Sequence, residues 1–295
     1  MIDLHTHSSA SDGVLSPQNL LAYAAEQGIT LLALTDHDTV AGLVEGAEAA
    51  KQFGINFVPG IEFTIQWRKQ GDFHLLGLGI QDTSALQQII QNSQILRENR
   101  NLEIIEKMHN QGIPVSLEEL REMSGTSSIG RPHFADYLVA NGLAKTRQIA
   151  FDRFLSKGGP CYAEHTGENL EDAIQAIIRG GGLPVLAHPM SLYVSWGKIE
   201  NILTGFREQG IAGIEAWHSS ARVCDCRRLE KLADKLGLFI TAGSDFHEKQ
   251  VPGVKKPGIH KAAAPHGCKI GYTAGGMPIE ERFLPEKLKK ILEKQ

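Results

Sequence analysis

Long apolar runs, a marked net charge of either sign and a cysteine framework are all missing from this chain. Its longest apolar stretches fall far short of the ~20 residues that cross a bilayer, so no membrane-spanning segment and no membrane partner are expected. The formal net charge is −4 over 295 residues. That offers no broad basic field for a long nucleic-acid duplex or an anionic surface, and a polyanion must be held by a local site. Only four cysteines occur, Cys161, Cys224, Cys226 and Cys268. Cys224-Asp225-Cys226 is too tight for C-x-x-C zinc or redox chemistry, so free thiols are expected, and a core of this size needs no disulfides. The first residues run straight into an acidic, histidine-bearing strand rather than a leader, which makes the cytoplasm the expected compartment. No repeat of fixed period and no low-complexity tract is present.

What the chain does have is twelve histidines, and their positions matter more than their number. Ile2 to His7 reads as a short buried strand. Side chains alternate along a strand, so His5 and His7 share a face and can grip one cation. Asp12 follows on a Ser/Gly-rich loop that can fold back toward them. Ser16-Pro17 starts a helix that stops at Gly28. Ile29 to Leu34 is a continuous apolar run, hence a strand covered on both faces, and it ends in Thr35-Asp36-His37-Asp38. A helix over 40–53 leads to strands at 56–65, carrying Glu62, and 73–80, with His74 near its start.

From about 83 to 168 helical patterns dominate. Ser84 to Asn110 reads as one amphipathic helix with Leu86, Ile89, Ile90, Ile95, Leu102, Ile105 and Met108 on its apolar side. Shorter helices follow at 117–123 and from Arg131 to Ala140. Strand and helix alternation then resumes. Strands at 183–187, 213–217 and 238–242 are separated by helices, and the first and last of them run into His188-Pro189 and Gly243-Ser244-Asp245-Phe246-His247. Residues 251–276 read as a long loop and 285–293 as a closing helix. The expectation is an α/β protein: a parallel seven-stranded sheet closed into a barrel from residues 1–82 and 169–295, with a helical insertion at 83–168. In such folds sites gather at the C-terminal ends of the strands.

His5, His7, Asp12, His37, Glu62, His74, His188, Asp245 and His247 then converge on one barrel mouth. A lone buried histidine is more often a hydrogen-bonded core residue. Six imidazoles and three carboxylates packed together would cost several kcal/mol in desolvation unless a cation sits among them. Mixed histidine and carboxylate donors suit Mn, Fe or Zn better than Ca or Mg.

The motifs His5-Thr6-His7, Thr35-Asp36-His37, Ala187-His188-Pro189 and Ser244-Asp245-Phe246-His247, with Glu62 and His74 between them, resemble those of the PHP (polymerase and histidinol phosphatase) superfamily. Asp12, Gly60-Ile61-Glu62 and Ile129-Gly130-Arg131-Pro132-His133-Phe134-Ala135 point to its group of 3′,5′-nucleoside bisphosphate phosphatases and 5′-to-3′ exoribonucleases. The resemblance implies a distorted (β/α)7 barrel of PHP type and three divalent metals, Mn²⁺ first, with Fe, Zn or Mg as alternatives. It implies that His5, His7, Glu62 and Asp245 hold the first and that Glu62, His74 and His188 hold the second. Asp12, His37 and His247 would hold the third.

The implied chemistry is attack on phosphorus by metal-activated water, removing the 3′-phosphate of a nucleoside 3′,5′-bisphosphate (pAp to AMP) or trimming short 5′-phosphorylated RNA from its 5′ end. A second phosphate needs its own anion site, for which Arg131 and His133 at a helix start are candidates. Arg97 and Arg100, one turn apart, could add to it, although a solvated charged face is the commoner account of such a pair. Tyr193, Trp196 and Trp217 could stack on a base, with core packing the plainer reading of each. Competing functions are a histidinol-phosphate phosphatase and a polymerase-associated or regulatory metal-binding module without turnover. A monomer is expected.

Overall fold

The structure, a computed structural model, describes residues 1–67, 69, 71–126, 128–164, 167–248 and 269–293. Most of the loop expected at 251–276, and Cys268 with it, lies outside the described residues. Seven strands form one sheet in chain order. They are β1 (Ile2–Asp3), β2 (Leu31–Leu34), β3 (Asn56–Ile65), β4 (Phe73–Leu78), β5 (Leu183–Leu186), β6 (Gly213–His218) and β7 (Phe239–Gly243). The first strand is shorter than its sequence suggests, because its ladder with β2 covers only Ile2 and Asp3. The chain nevertheless stays extended to His7. It meets the segment after β7 through the Asp245 N–H to His5 carbonyl and His7 N–H to Phe246 carbonyl bonds, both 2.9 Å. Those bonds bring the two edges of the sheet together at the barrel mouth.

The expected all-parallel sheet is corrected at one strand. β4 runs antiparallel to both β3 and β5, while the other neighbours are parallel. The link between β3 and β4 is too short for a crossover helix, so the chain must turn back on itself. One consequence is that His74, at the start of β4, lies at the same end of the barrel as the C-terminal ends of the other strands.

Helices α1 (Pro17–Glu26) and α2 (Leu43–Phe53) cover β2, burying Leu20, Leu21, Ala49 and Ala50 against Leu32 and Leu34. Ser16 caps α1 by accepting from the Asn19 N–H, with Pro17 in the first turn. Next comes α3 (Gln87–Asn110), whose 24 residues span about 36 Å. Ile89 and Ile90 near its start belong to the barrel core. Ile104 and Met108 near its end belong to a separate apolar cluster with Leu120, Phe134, Leu138 and Leu155. Between these points it buries Ser93, Arg100 and Asn101. The apolar side read from sequence is therefore wrong at Ile95 and Leu102, which are half-exposed. One helix serving two cores and a polar gap between them does not keep a single apolar stripe.

The second cluster is completed by α4 (Leu117–Ser124), α5 (Arg131–Ala140) and α6 (Arg147–Ala150). Ser116 and Glu119 form a reciprocal capping box at the start of α4. The barrel resumes with α7 (Leu170–Arg179), α8 (Trp196–Gln209) and α9 (Val223–Leu236), which pack on its outer face. A small hairpin of β8 (Tyr272–Thr273) and β9 (Met277–Pro278) precedes α10 (Glu286–Leu292). Among the described residues no helix is long and apolar enough to cross a membrane.

Candidate metal centre and anion site

The residues expected at the barrel mouth meet there. Glu62, buried on β3, is the hub. Its Oε1 lies 3.1 Å from both His74 Nδ1 and His188 Nε2. Its Oε2 lies 3.2 Å from His5 Nε2, 3.3 Å from His7 Nε2 and 3.1 Å from His37 Nδ1. Asp245 Oδ1 faces the same two imidazoles, 3.1 Å from His7 Nε2 and 3.4 Å from His5 Nε2. Asp12 does fold back, with its carboxylate 3.3 Å from His247 Nε2 and 4.0 Å from His37 Nε2. Two sets of donors lie within coordination range of a common point: His5, His7, Glu62 and Asp245, and His7, Asp12, His37 and His247. His37, Glu62 and His74 form a third.

Several of these atoms have close neighbours but no hydrogen bond of sound geometry. His7 Nδ1, His37 Nδ1 and Glu62 Oε2 are buried in that state. The donor chemistry and these unsatisfied atoms fit divalent cations held between the side chains. The far side of three rings is already tied. His188 Nδ1 meets Ser191 Oγ at 2.7 Å, His247 Nδ1 meets its own loop's Asp245 carbonyl at 2.8 Å, and His5 Nδ1 meets Glu215 Oε1 at 3.0 Å. Each tie leaves Nε2 aimed into the cluster, as outer partners of metal-binding histidines do.

Electrostatics without a cation show the tension. Burial pushes Glu62 up, but His5, His37 and His74 outweigh it and hold the carboxyl well below the usual range. Asp12 is likewise held well below by His247 and His37 against the effect of burial. Burial lowers His37 to about 3 despite Glu62 and Asp12. His247 instead is raised to about 10, because Asp12 and Asp245 overcome burial.

The backbone also bends to build this mouth. The non-glycine residues with positive φ among those described are Asp38, His188, Tyr193 and Asp245, and all four belong to loops leaving β2, β5 and β7. Such conformations persist only where surrounding structure enforces them. Gly243 ends β7 where a Cβ would fall 2.3 Å from both His5 Cβ and Glu215 Oε1. No other residue allows β7 so close to the first strand.

Glu215 and His218 are participants the sequence reading missed. They lie on β6 within coordination range of His5, and Glu215 Oε2 also accepts from the His188 N–H at 2.8 Å. His218 Nε2 lies 3.4 Å from Asp245 Oδ2. An irregular register between Glu215 and Trp217 breaks the two-residue alternation, so two residues three apart serve the same face. The available signal was a histidine at a strand end, as in the other motifs.

Above the cluster, the helical segment supplies cations. Arg97 pairs with Asp38, and Arg131 Nη2 lies 3.2 Å from Asp72 Oδ1. Arg100 is buried, with an Nε that has no hydrogen-bond partner. Burial first, then the nearby Arg97 and Arg131 guanidiniums, lower it to about 9. The solvated face considered for Arg97 and Arg100 is thus not what the fold builds. His133 caps α5, its Nδ1 accepting from the Gly130 N–H at 2.9 Å, and burial lowers its pKa. Three guanidiniums drawn together beside a helix start have the chemistry that suits an anion with more than one charged oxygen.

The aromatic side chains divide. Trp217 is core, with its indole N–H donating to Glu230 at 2.8 Å. Trp196 packs partly against the barrel core under Arg228. Tyr193 is 73 % exposed, against the core packing expected for it.

Comparison with known proteins agrees with this geometry. The PHP domain model matches residues 3–150. A 3′,5′-nucleoside bisphosphate phosphatase from Chromobacterium violaceum is 36% identical over 248 residues, which is 83% of this chain and 87% of that protein. A 5′-3′ exoribonuclease from Haemophilus influenzae is 34% identical over 246 residues, 83% of this chain and 89% of its own. The solved structure of an amidohydrolase from Chromobacterium violaceum, with bound sulfate and no metal, superposes with a TM-score of 0.83 at 32% identity, covering 99% of this chain and 96% of that one. The histidine and carboxylate cluster at the mouth of a seven-stranded barrel, the family model and these relatives together place the chain in the PHP domain family.

Proposed function

We propose that the protein is a metal-dependent phosphoesterase that removes the 3′-phosphate of nucleoside 3′,5′-bisphosphates such as pAp. The observation that carries this is the pairing of two sites, a metal-type donor cluster and, beside it, three guanidiniums suited to a second phosphate. A simple monoester such as histidinol phosphate has no use for the second. The relatives named for bisphosphate and 5′-3′ exoribonuclease activity support the same reading.

In this proposal His5, His7, Glu62 and Asp245 hold one cation, Glu62, His74 and His188 a second, and Asp12, His37 and His247 a third, with Mn²⁺ first in order. When bound, these cations supply positive charge against the phosphoryl oxygens and activate water. Glu62 can serve two positions at once, because its two oxygens already face different histidines. Arg97, Arg100 and Arg131 bind the 5′-phosphate, with His133 fixing the start of α5 beside them. Asp38 and Asp72 hold Arg97 and Arg131 in place until that phosphate arrives. Glu215 orients His5. Residues 83–168 act as an inserted domain whose role is to present these arginines, and short 5′-phosphorylated RNA, sharing the same 5′-phosphate, is a second substrate.

Purified protein with Mn²⁺ should convert pAp to AMP and inorganic phosphate, with kcat/KM far above that for histidinol phosphate. Turnover of histidinol phosphate without turnover of pAp would overturn the proposal.

A further inference from the structure

We infer that the rim of the barrel beyond His188 carries a binding site for the nucleotide that follows the scissile phosphate on its 3′ side, so that the protein holds an oligonucleotide at two places. This rests on the phosphoesterase reading above and goes beyond it. A concavity of about 310 Å³ is lined by Lys69, Leu192, Tyr193, Val194, Ser195, Lys198 and Ile202. Its volume lies at the lower end of the range for small-molecule sites. Its walls combine apolar side chains, an exposed aromatic ring and two cations, and no acid lines it. Neither lysine makes an ion pair within the described residues; Lys69 lies over the Trp67 ring at 5.1 Å.

The concavity is joined to the candidate centre along the chain. One short turn, Pro189–Leu192, leads from His188 to Tyr193. Ser191 Oγ meets the His188 ring at 2.7 Å and donates to the Asp72 carbonyl at 2.9 Å, while the Asp72 N–H donates back to the Ser191 carbonyl at 2.9 Å. Asp72 also holds Arg131. The wall of the concavity is therefore fixed both to a donor of the cluster and to the loop that borders the anion site. Arg97 is tied to the end of β2 through Asp38, whereas Tyr193 follows β5.

Tyr193 is built to be exposed. It is 73 % accessible and adopts a left-handed conformation, φ 47° and ψ 39°, which an aromatic residue rarely takes. It closes the Pro189–Leu192 turn, its N–H donating to the Met190 carbonyl at 3.3 Å, and one edge of its ring lies close to Gly71 while the rest faces outward. An exposed ring sharing a concavity with two lysines is the pattern that holds single strands, with a base on the ring and phosphates on the cations. The chain's net charge of −4 fits a short strand held locally rather than a long duplex.

The test compares pAp with 5′-phosphorylated triadenylate on wild-type protein and on the Tyr193→Ala, Lys198→Ala double variant, each with Mn²⁺. The ratio of kcat/KM for triadenylate to that for pAp should fall roughly tenfold in the variant, and Tyr193→Phe should restore most of it. An unchanged ratio, or a wild-type protein that turns over pAp but neither cleaves nor binds triadenylate, overturns the site while leaving the bisphosphate reading intact. Inactivity on both substrates counts against the phosphoesterase reading instead. Fluorescence anisotropy of labelled triadenylate then decides the site alone: weaker binding by the variant supports it, and equal binding by both proteins, as for a surface that docks some other partner, overturns it.

Discussion

The barrel mouth and the helical segment above it both gather charge, but by different means. In the barrel, donors separated by up to 242 positions, from His5 to His247, meet because each sits at a strand end fixed by the sheet. Above it, Arg97 and Arg100 come from α3 and Arg131 from α5; Asp38 and Asp72 reach across from the barrel to pair with Arg97 and Arg131, and Arg100 is buried beside them. The first arrangement resists change and suits ions that must sit within tenths of an ångström. The second can be altered by changing a few side chains, and suits the part of a substrate that differs between relatives. Metal chemistry and substrate choice should therefore be separable.

Glu62→Ala tests the barrel half and has the largest expected effect. Glu62 faces five imidazoles, those of His5, His7, His37, His74 and His188, so metal content by atomic emission should drop and kcat should fall by more than about 100-fold, beyond the usual loss for an outer partner. Retention of both would break the comparison. Phe134→Ala tests whether the upper half has a core of its own. Phe134 is fully buried in the second apolar cluster, so the change should cost about 3–5 kcal/mol. Calorimetry should show a first transition confined to the helical segment, while bound metal is retained below it. One cooperative transition carrying the metal away would contradict a separate domain.

Arg131→Ala should raise KM for pAp by roughly 10- to 100-fold, in keeping with the loss of a charge-assisted phosphate contact, with metal content unchanged. Loss of metal instead would move Arg131 into the barrel half. The smallest effect is on pH dependence without metal. Asp12 and Asp245 overcome burial to raise His247 from 6.5 to about 10. Its contribution to stability is full below pH 6.5 and drains away as pH climbs through about 10. Thermal melts of chelator-treated protein should therefore fall by a few degrees between pH 6.5 and 10. Saturating Mn²⁺, which competes with that proton, should flatten the trend.

The same contrast governs what the sequence discloses. His5-Thr6-His7, Asp36-His37, Ala187-His188 and Asp245-Phe246-His247 stand out because a polar group at the end of an apolar strand is locally anomalous. Their meeting then follows from the rule that strand ends in such sheets converge. Glu215 and His218 escape it because a bulge shifts the alternation in β6, and nothing in the local sequence marks a bulge. The reversed β4 escapes a pattern of alternating elements, although its short connection to β3 implies it. Arg97 and Arg100 look like an ordinary charged helix face. The partner of Arg97 is Asp38, 59 positions away in sequence, and Arg100 is buried with its Nη2 donating to Asn101. Tyr193 fails in the opposite sense: its residue type suggests core, while its backbone conformation turns it outward.

Anomalous diffraction from crystals grown with Mn²⁺ addresses the central assignment most directly. Strong peaks are expected between His5, His7, Glu62 and Asp245, at Glu62 with His74 and His188, and at Asp12 with His37 and His247. Peaks only elsewhere, or none in protein that hydrolyses pAp, would contradict it.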